Sequence, residues 1–258
     1  MLRLFALIIV LLFSTVVVAE SITVSAAVSL KEAMDNIARS YEADTSERVN
    51  FSFGSSGQLM AQIKSGAPVD LFISAAGKQV DDLSALGLVD DTTRRIVAGN
   101  ALVLIVPANA KRAPSTFKDL TDSRYGRLAI GEPQTVPAGQ YAMQVMTTLK
   151  LADLVADRVV YGSNVRQVLD YVGRGEVAAG VVYATDAKQP GSKVRIVATA
   201  DCSWHDPIQY PAVVVKASRR QAAAKRFLNY LSSRKAREIL ANKGFVVESD
   251  PDVEETSP

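Results

Sequence analysis

The sequence shows its clearest structural pattern in Ile22-Thr23-Val24-Ser25-Ala26-Ala27-Val28-Ser29-Leu30. The apolar run predicts a short strand, and the spacing of apolar residues from Ser29 to Tyr41 predicts a helix directly after it. The first N–H groups of such a helix have no partner within the helix, and the helix dipole favours negative charge there. A strand that leads into a serine-bearing helix start therefore indicates a candidate anion site.

A second strand and turn follow the same plan at Val49-Asn50-Phe51-Ser52-Phe53-Gly54-Ser55-Ser56-Gly57. Gly54 and Gly57 permit tight backbone geometry, and Ser55 and Ser56 supply hydroxyl donors beside the next helix start. The turn lacks the lysine of a nucleotide-binding P-loop and the spacing of a Gly-x-Ser-x-Gly hydrolase elbow. Two helix starts that both carry serine predict a site for a small oxyanion.

Ser29 also has a simpler interpretation. Glu32 follows it by three residues, which is the spacing of a capping box, where the two side chains satisfy N–H groups of their own helix. Taken alone, this pattern favours ordinary helix capping over ligand binding.

The first residues are typical of a secretory leader. Met1-Leu2-Arg3 precedes an apolar run from Leu4 to Val18, and Val17-Val18-Ala19 predicts cleavage after Ala19. The run is shorter than the roughly 20 apolar residues that span a membrane, which disfavours a membrane anchor. Since no cysteine stands at the cleavage point, we expect no lipid anchor.

Charge and cysteine content exclude several functions. The chain has 29 Lys and Arg against 27 Asp and Glu, and a net charge of +2 gives no basis for binding nucleic acid or a membrane surface. Cys202 is the only cysteine, so no intrachain disulfide forms and the core must stabilise the fold. His205, the only histidine, lies three residues away, and a surface loop is a better interpretation of this pair than a catalytic dyad.

Short apolar runs alternate with helical patterns along the chain, which predicts an α/β fold with largely parallel sheets. Nine strands fit two lobes better than one sheet, with 101–106 and 208–215 as the crossovers between lobes. The predicted strands are 21–26, 48–53, 71–74, 101–106, 127–130, 159–161, 179–183, 195–198 and 208–215. The predicted helices are 29–41, 57–65, 139–149, 165–172, 221–231 and 234–243.

Three more strand ends in the second half carry hydrogen-bond donors. Pro137 suits a helix start, and the small residues Ala138 and Gly139 would let backbone N–H groups approach a ligand closely. Ser163-Asn164-Val165 predicts another capped helix start, and Tyr183 places a phenol where an apolar strand ends. Ligands of open α/β sheets bind at such strand ends. A site made only of donors favours a fully deprotonated oxyanion and needs no lysine or arginine when helix starts supply the field.

At these residues the chain resembles the periplasmic molybdate-binding proteins of bacterial ABC uptake systems. The resemblance runs from Ile22 to about Val247, and its stretches are specific as a set. They are Ala26-Ala27-Val28-Ser29-Leu30, Gly66-Ala67-Pro68-Val69-Asp70-Leu71-Phe72-Ile73-Ser74-Ala75, Gly99-Asn100-Ala101-Leu102-Val103, Val136-Pro137-Ala138-Gly139, Gly180-Val181-Val182-Tyr183, Tyr210-Pro211-Ala212-Val213 and Lys243-Gly244-Phe245.

The resemblance implies a two-lobed periplasmic binding protein fold of the Venus-flytrap type, which closes on one molybdate or tungstate ion. Each lobe would be a mainly parallel sheet flanked by helices, with two crossover connections between the lobes. Molybdenum would be held as its oxyanion, with no direct metal ligand and no cofactor. The implied ligands are the hydroxyls of Ser29, Ser56 and Tyr183 and the N–H groups of Ala138 and Val165, with Ser55 as an additional candidate.

The predicted organisation is a signal peptide at 1–19, a first lobe from 20–104 and 208–247, a second lobe at 105–207 and a tail at 248–258. The tail is acidic and poor in apolar residues, which predicts disorder. We expect a periplasmic monomer that is not an enzyme and that delivers its ion to a membrane permease.

Other functions stay open at this point. A binding protein of the same fold for sulfate or phosphate is the nearest alternative, and cavity size would separate molybdate from the smaller sulfate through hydrogen-bond length. A secreted serine hydrolase built on Gly54-Ser55-Ser56-Gly57 lacks a histidine and aspartate relay. A ligand-sensing domain of the same fold is opposed by the leader and by the lack of a helix-turn-helix segment. The sequence does not separate molybdate from tungstate, because the two ions are nearly the same size.

Overall fold

The computed structural model describes residues 21–247, which form two five-stranded sheets flanked by helices. The strands are β1 Ser21–Ala27, β2 Arg48–Gly54, β3 Leu71–Ile73, β4 Val89–Gly99, β5 Leu102–Pro107, β6 Leu128–Gly131, β7 Val159–Gly162, β8 Ala179–Tyr183, β9 Val194–Thr199 and β10 Gln209–Val215. The helices are α1 Lys31–Thr45, α2 Ser56–Lys64, α3 Gly77–Ala85, α4 Pro137–Thr148, α5 Ala152–Val155, α6 Val165–Gly173, α7 Ala184–Ala187, α8 Gln221–Leu231 and α9 Arg234–Asn242.

Both sheets are mixed and share one plan. The first has the order β2-β1-β3-β10-β4, in which β2, β1 and β3 are parallel and β10 runs antiparallel to both β3 and β4. The second has the order β7-β6-β8-β5-β9, in which β7, β6 and β8 are parallel and β5 runs antiparallel to both β8 and β9. Four strands of each sheet therefore point the same way, and the reversed strand is a predicted crossover. The predicted two-lobed fold class is confirmed.

The chain passes between the sheets twice. It leaves the first sheet at Gly99 and enters the second at Leu102, and it returns between Thr199 and Gln209. The boundary predicted between 104 and 105 lies inside β5, so we propose that the first lobe ends near Gly99. The predicted signal peptide at 1–19 and the predicted disordered tail at 248–258 lie outside the described residues.

Each of the nine predicted strands matches a strand of the structure to within one residue at either end. Only β4 was not predicted among the ten strands of the described residues, because its sequence lacks the apolar run that indicates a buried strand. It is an edge strand that pairs with β10 alone, and its Arg94 and Arg95 are exposed. The sequence also gave no clear pattern for α3, whose apolar positions are few.

The helices pack through the apolar faces that their spacing predicts. In α1, the buried residues include Met34, Ile37 and Tyr41, and in α6 they are Val165, Val168 and Val172. Within residues 21–247, the structure has no helix that is both long enough and apolar enough to cross a membrane. The apolar faces of α1 and α6 pack against β2 and β8, respectively.

Candidate functional site

A small cavity lies where helix starts from both sheets meet. The space open to the centre of a water-sized sphere is about 10 Å³, which is about the volume that one water molecule needs. None of the residues that line it is charged. They are Ala27, Val28, Ser29, Gly54, Ser55, Ser56, Ala75, Val136, Pro137, Ala138, Val165 and Tyr183. All six residues predicted as ligands or candidates are among them, and their role as ligands stays a prediction.

Ser29 lies in a short 3-10 turn, Val28–Leu30, between β1 and α1. The predicted capping box is wrong, because the start of α1 has no side-chain cap and the two side chains bond elsewhere. The Ser29 hydroxyl is 3.1 Å from the Tyr210 hydroxyl, and the Glu32 carboxylate accepts bonds from Arg166 and Gln189. The 3-10 turn moves Ser29 away from the capping position and leaves its hydroxyl at the cavity.

The two serines of the second turn have different tasks. Ser55 is the N-cap of α2, where its Oγ accepts a long bond of 3.4 Å from the Gln58 N–H. Ser56 is fully buried, and its Oγ accepts a bond of 3.0 Å from the Ala75 N–H. A hydroxyl that accepts through a lone pair keeps its proton for another partner. The Ser56 proton is therefore available to an acceptor in the cavity.

Two helix starts from the second sheet face these serines. Pro137 occupies the first position of α4, and Ala138 follows it in the first turn. Asn164 caps α6 by accepting a bond of 3.0 Å from the Gln167 N–H, and Val165 is the first residue of that helix. The N–H groups of first-turn residues have no carbonyl partner within the helix. Ala138 and Val165 both line the cavity, and binding through their N–H groups stays a prediction.

Tyr183 ends β8, and its hydroxyl reaches Ala75, which follows β3 of the first sheet. The side chain is buried, and its hydroxyl donates a bond of 3.2 Å to the Ala75 carbonyl. Burial raises the pKa of Tyr183 well above the ordinary value, so the phenol keeps its proton. Tyr183 is therefore a neutral donor.

Helix or turn starts from four places in the chain converge on the cavity. The turn before α1 and the start of α2 come from the first sheet, and the starts of α4 and α6 come from the second. The N-terminus of a helix carries a partial positive charge, so these starts favour a negatively charged species in the cavity.

Two further contacts join the lobes beside the cavity. The Gly57 N–H donates to the Thr135 carbonyl at 2.9 Å. Arg166 makes two bonds to Glu32, of 3.1 and 2.6 Å, and lies 2.6 Å from the buried Asp186. Because these carboxylates neutralise it, Arg166 supplies no free charge to the cavity.

Sequence reasoning missed the residues that hold the site hydroxyls. Ala75 bonds both Ser56 and Tyr183, and Tyr210 bonds both Ser29 and Asn100. These partners stand far from the serines in the chain, so no local pattern contains them. Buried tyrosines at the ends of apolar strands were the available signal, and it was used for Tyr183 but not for Tyr210.

The predicted loop around Cys202 and His205 is placed away from the serines. Cys202 is exposed, and the His205 ring packs near Tyr141 with its Nδ1 2.7 Å from the Asp206 carbonyl. Neither side chain lines the cavity. The prediction of a surface loop agrees with this placement.

Comparison with known proteins places the chain in a family. The family profile described as bacterial extracellular solute-binding protein matches residues 22–246. The molybdate-binding protein ModA of Haemophilus influenzae is 39% identical over 228 residues, which cover 87% of this chain and 89% of that protein.

Solved structures give the same result. The periplasmic molybdate-binding protein of Azotobacter vinelandii has a TM-score of 0.79 at 27% identity, covering 88% of this chain and 100% of that one. The sulfate-binding protein SubI of Mycobacterium tuberculosis has a TM-score of 0.79 at 19% identity, covering 91% and 88%, a likeness that extends to the fold alone. The chain therefore belongs to the family of bacterial extracellular solute-binding proteins, and its predicted resemblance to the molybdate-binding members is confirmed.

Proposed function

We propose that this protein captures one molybdate or tungstate ion between its two lobes and delivers it to an ABC transporter permease. The observation that carries the proposal is the convergence of four helix or turn starts and three serine hydroxyls on a small cavity with no charged lining residue. Such a site offers donors and a positive field, which a dianion requires. The identity with molybdate-binding relatives supports this choice of ion.

The proposed ligands are the hydroxyls of Ser29 and Ser56, the N–H groups of Ala138 and Val165, and the Tyr183 phenol. The Tyr183 proton would turn from the Ala75 carbonyl to the ion, since a phenol has only one proton to donate. The Ser55 proton is free for the ion because its Oγ serves the helix only as an acceptor, so Ser55 remains an additional candidate.

One feature of the cavity disfavours phosphate, and the size of the ion would separate sulfate. Hydrogen phosphate needs an acceptor for its proton, and no carboxylate lines the cavity within the described residues. Sulfate is smaller, so backbone donors spaced for molybdate would not all reach its oxygens at 2.7–3.0 Å. The fold alone does not distinguish these ions, because a sulfate-binding protein shares it.

The partners follow from the same proposal. Binding between lobes stabilises the closed form through the ion's higher affinity for that form, and we infer that the closed form docks on the permease. The proposed location is the periplasm, after removal of residues 1–19, and the proposed state is a monomer with no cofactor.

Hydrolysis is the alternative from another class, and the contacts of the serines oppose it. Ser29 bonds Tyr210, Ser55 bonds the Gln58 N–H, and Ser56 bonds the Ala75 N–H. A nucleophilic serine requires a general base within hydrogen-bond reach. No histidine or carboxylate fills that position among the hydrogen bonds of residues 21–247, so we propose a binding protein that is not an enzyme.

Calorimetric titration of the purified secreted chain with molybdate, tungstate, sulfate and phosphate tests the function. We expect tight binding of molybdate and tungstate at one ion per chain, with sulfate and phosphate bound far more weakly. Equal affinity for sulfate would overturn the choice of ion, and hydrolysis of ester substrates without oxyanion binding would overturn the class.

A further inference from the structure

Behind Ser29, a chain of hydrogen bonds connects the cavity to both crossings between the lobes. The Tyr210 hydroxyl lies 3.1 Å from the Ser29 Oγ and accepts a bond of 3.1 Å from the Asn100 Nδ2. Asn100 stands in the first crossing, between β4 and β5, and Tyr210 is the second residue of β10, just after the return crossing. Both residues lie in sequence stretches that match the family, and neither stretch contains a proposed ligand of the ion.

The direction of these bonds is set at Asn100. The Ala101 N–H donates to the Asn100 Oδ1 at 2.9 Å, and an N–H group bonds only an oxygen there, so the amide orientation is fixed. The Nδ2 then has two protons, one for the Thr185 Oγ1 at 2.9 Å and one for the Tyr210 hydroxyl. Asn100 is therefore a donor toward Tyr210.

Tyr210 passes this direction on to Ser29. Its oxygen accepts from Asn100, which leaves its own proton for the Ser29 Oγ. Burial raises the pKa of Tyr210 far above its ordinary value, so the phenol is neutral and keeps that proton. The opposite direction would leave the phenol proton of a fully buried tyrosine without this acceptor, which is costly.

We propose that Asn100 and Tyr210 are positioning residues that orient the Ser29 hydroxyl as a donor to the bound oxyanion. Because Ser29 accepts the Tyr210 proton, its own proton points to the cavity, and each bond from the crossing to the ion runs in the same direction. The inference rests on the proposed function, since it assigns two residues to an oxyanion site.

A double-mutant cycle tests the inference in the full secreted chain with molybdate as the probe. Tyr210→Phe keeps the ring packed against Phe245 and Tyr183 and removes only the hydroxyl. We expect Tyr210→Phe to weaken molybdate binding about tenfold and Ser29→Ala to weaken it at least as much. The double variant should bind no more weakly than Ser29→Ala, because Tyr210 acts only through that hydroxyl.

Tyr141→Phe is the matched control. Tyr141 is also buried and packs near Tyr183, but its hydroxyl bonds the Pro207 carbonyl at 3.4 Å and not Ser29. Removing the Tyr141 hydroxyl should change the affinity for molybdate less than twofold. If the two single effects multiply in the double variant, Tyr210 has a structural role and the inference is wrong.

Asn100→Asp supplies a second measurement that does not depend on Tyr210→Phe folding well. Aspartate has nearly the same shape but only accepts, so it would take the Tyr210 proton and force Ser29 to donate to Tyr210. We expect a loss of affinity greater than that of Asn100→Ala, and the excess should shrink in the Ser29→Ala background, where only the added charge acts. If the excess loss of affinity is the same in the Ser29→Ala background, Asn100 and Tyr210 do not act through the Ser29 hydroxyl and the inference is wrong.

The outcomes separate this inference from the function on which it rests. A wild-type chain that does not bind molybdate contradicts the proposed function. If the wild type binds molybdate and Tyr210→Phe binds it with the same affinity, only the orienting role of Asn100 and Tyr210 is contradicted. Thermal unfolding checks that each ligand-free variant is folded. We expect each melting temperature to lie within a few degrees of that of the wild type.

Discussion

At the residue scale, the Ser56 hydroxyl acts in two directions. Its Oγ accepts from the Ala75 N–H at 3.0 Å, and its proton is left for a ligand in the cavity. We expect Ser56→Ala to weaken molybdate binding by roughly 1–3 kcal/mol, about 5- to 150-fold, because a bond to a charged group is lost. Isothermal calorimetry measures this change.

Ser65→Ala is the control for Ser56→Ala. Ser65 follows α2 at its other end and is exposed, so the same substitution removes a hydroxyl from the same helix without touching the cavity. The Ser65→Ala variant should bind molybdate with the affinity of the wild type. A Ser56→Ala variant that binds as tightly as Ser65→Ala removes Ser56 from the set of ligands.

Single residues also mark the limit of what the sequence could predict about the site. Its serines, helix starts and Tyr183 were predictable, because strand ends and caps are local patterns. The partners of Ser29 were not, because Tyr210 is 181 positions away and only the folded sheets bring it close. The prediction for Glu32 was wrong for a related reason. The local pattern predicted a helix cap, but the Glu32 carboxylate accepts a bond from the distant Arg166.

At the element scale, the start of α2 lies directly against the other lobe at Gly57. Its N–H bonds the Thr135 carbonyl, and a Cβ at this position would lie 2.5 Å from the Thr135 oxygen and 2.6 Å from its Cα. Both are backbone atoms, which cannot move aside as a flexible side chain does. Gly57→Ala should therefore keep the lobes from closing, although alanine itself favours a helix.

We expect Gly57→Ala to weaken molybdate binding at least tenfold without lowering the melting temperature of the ligand-free protein. Gly173→Ala is the matched control, because a Cβ there meets the Lys193 side chain at 3.5 Å, an ordinary contact. Titration and thermal unfolding of both variants check this. A Gly57→Ala variant with wild-type affinity would mean that the bound form does not need this close approach.

The order and type of the elements were largely predictable, and their pairing was not. Nine strands followed from apolar runs, while β4 was hidden by Arg94 and Arg95, which an edge strand can expose to water. The reversal of β5 and β10 within each sheet depends on how the chain crosses between lobes. Nothing in an apolar run states its direction.

At the scale of the whole molecule, a charge cluster joins the lobes. Arg166 of α6 lies between Glu32 of α1 and the fully buried Asp186 of α7. Burial raises the pKa of Asp186 from 3.8 to about 6, against the lowering effect of Arg166. Burial also raises the pKa of Glu32, but its bonds from Arg166 and Gln189 outweigh this and lower it. The two carboxylates therefore titrate in different pH ranges.

Asp186 predicts how stability depends on pH. Its pKa is higher in the folded than in the unfolded protein, so the folded state binds the proton more tightly between about pH 4 and 6. Its contribution to the free energy of unfolding therefore grows as the pH falls through this window, by on the order of 3 kcal/mol at 1.36 kcal/mol per pKa unit. Denaturant unfolding of the wild type and of Asp186→Asn should diverge in this direction, and parallel curves would contradict the raised pKa.

Glu32 predicts how closure depends on charge across the lobes. Its ion pair with Arg166 joins α1 to α6, so Glu32→Gln removes the attraction while it keeps the shape of the side chain. Because the pair is partly exposed, its contribution is modest, and we expect molybdate affinity to fall only about two- to fivefold. The loss should shrink as salt is added, since ions screen such pairs.

Asp35→Asn supplies the comparison for Glu32→Gln. Asp35 lies on the same helix α1 and pairs with Lys31 within one lobe, so its neutralisation changes the net charge equally without touching the other lobe. Titrations at low and high salt should show a salt-dependent loss for Glu32→Gln and none for Asp35→Asn. Equal losses in both would mean that net charge, and not the bridge between the lobes, determines the affinity.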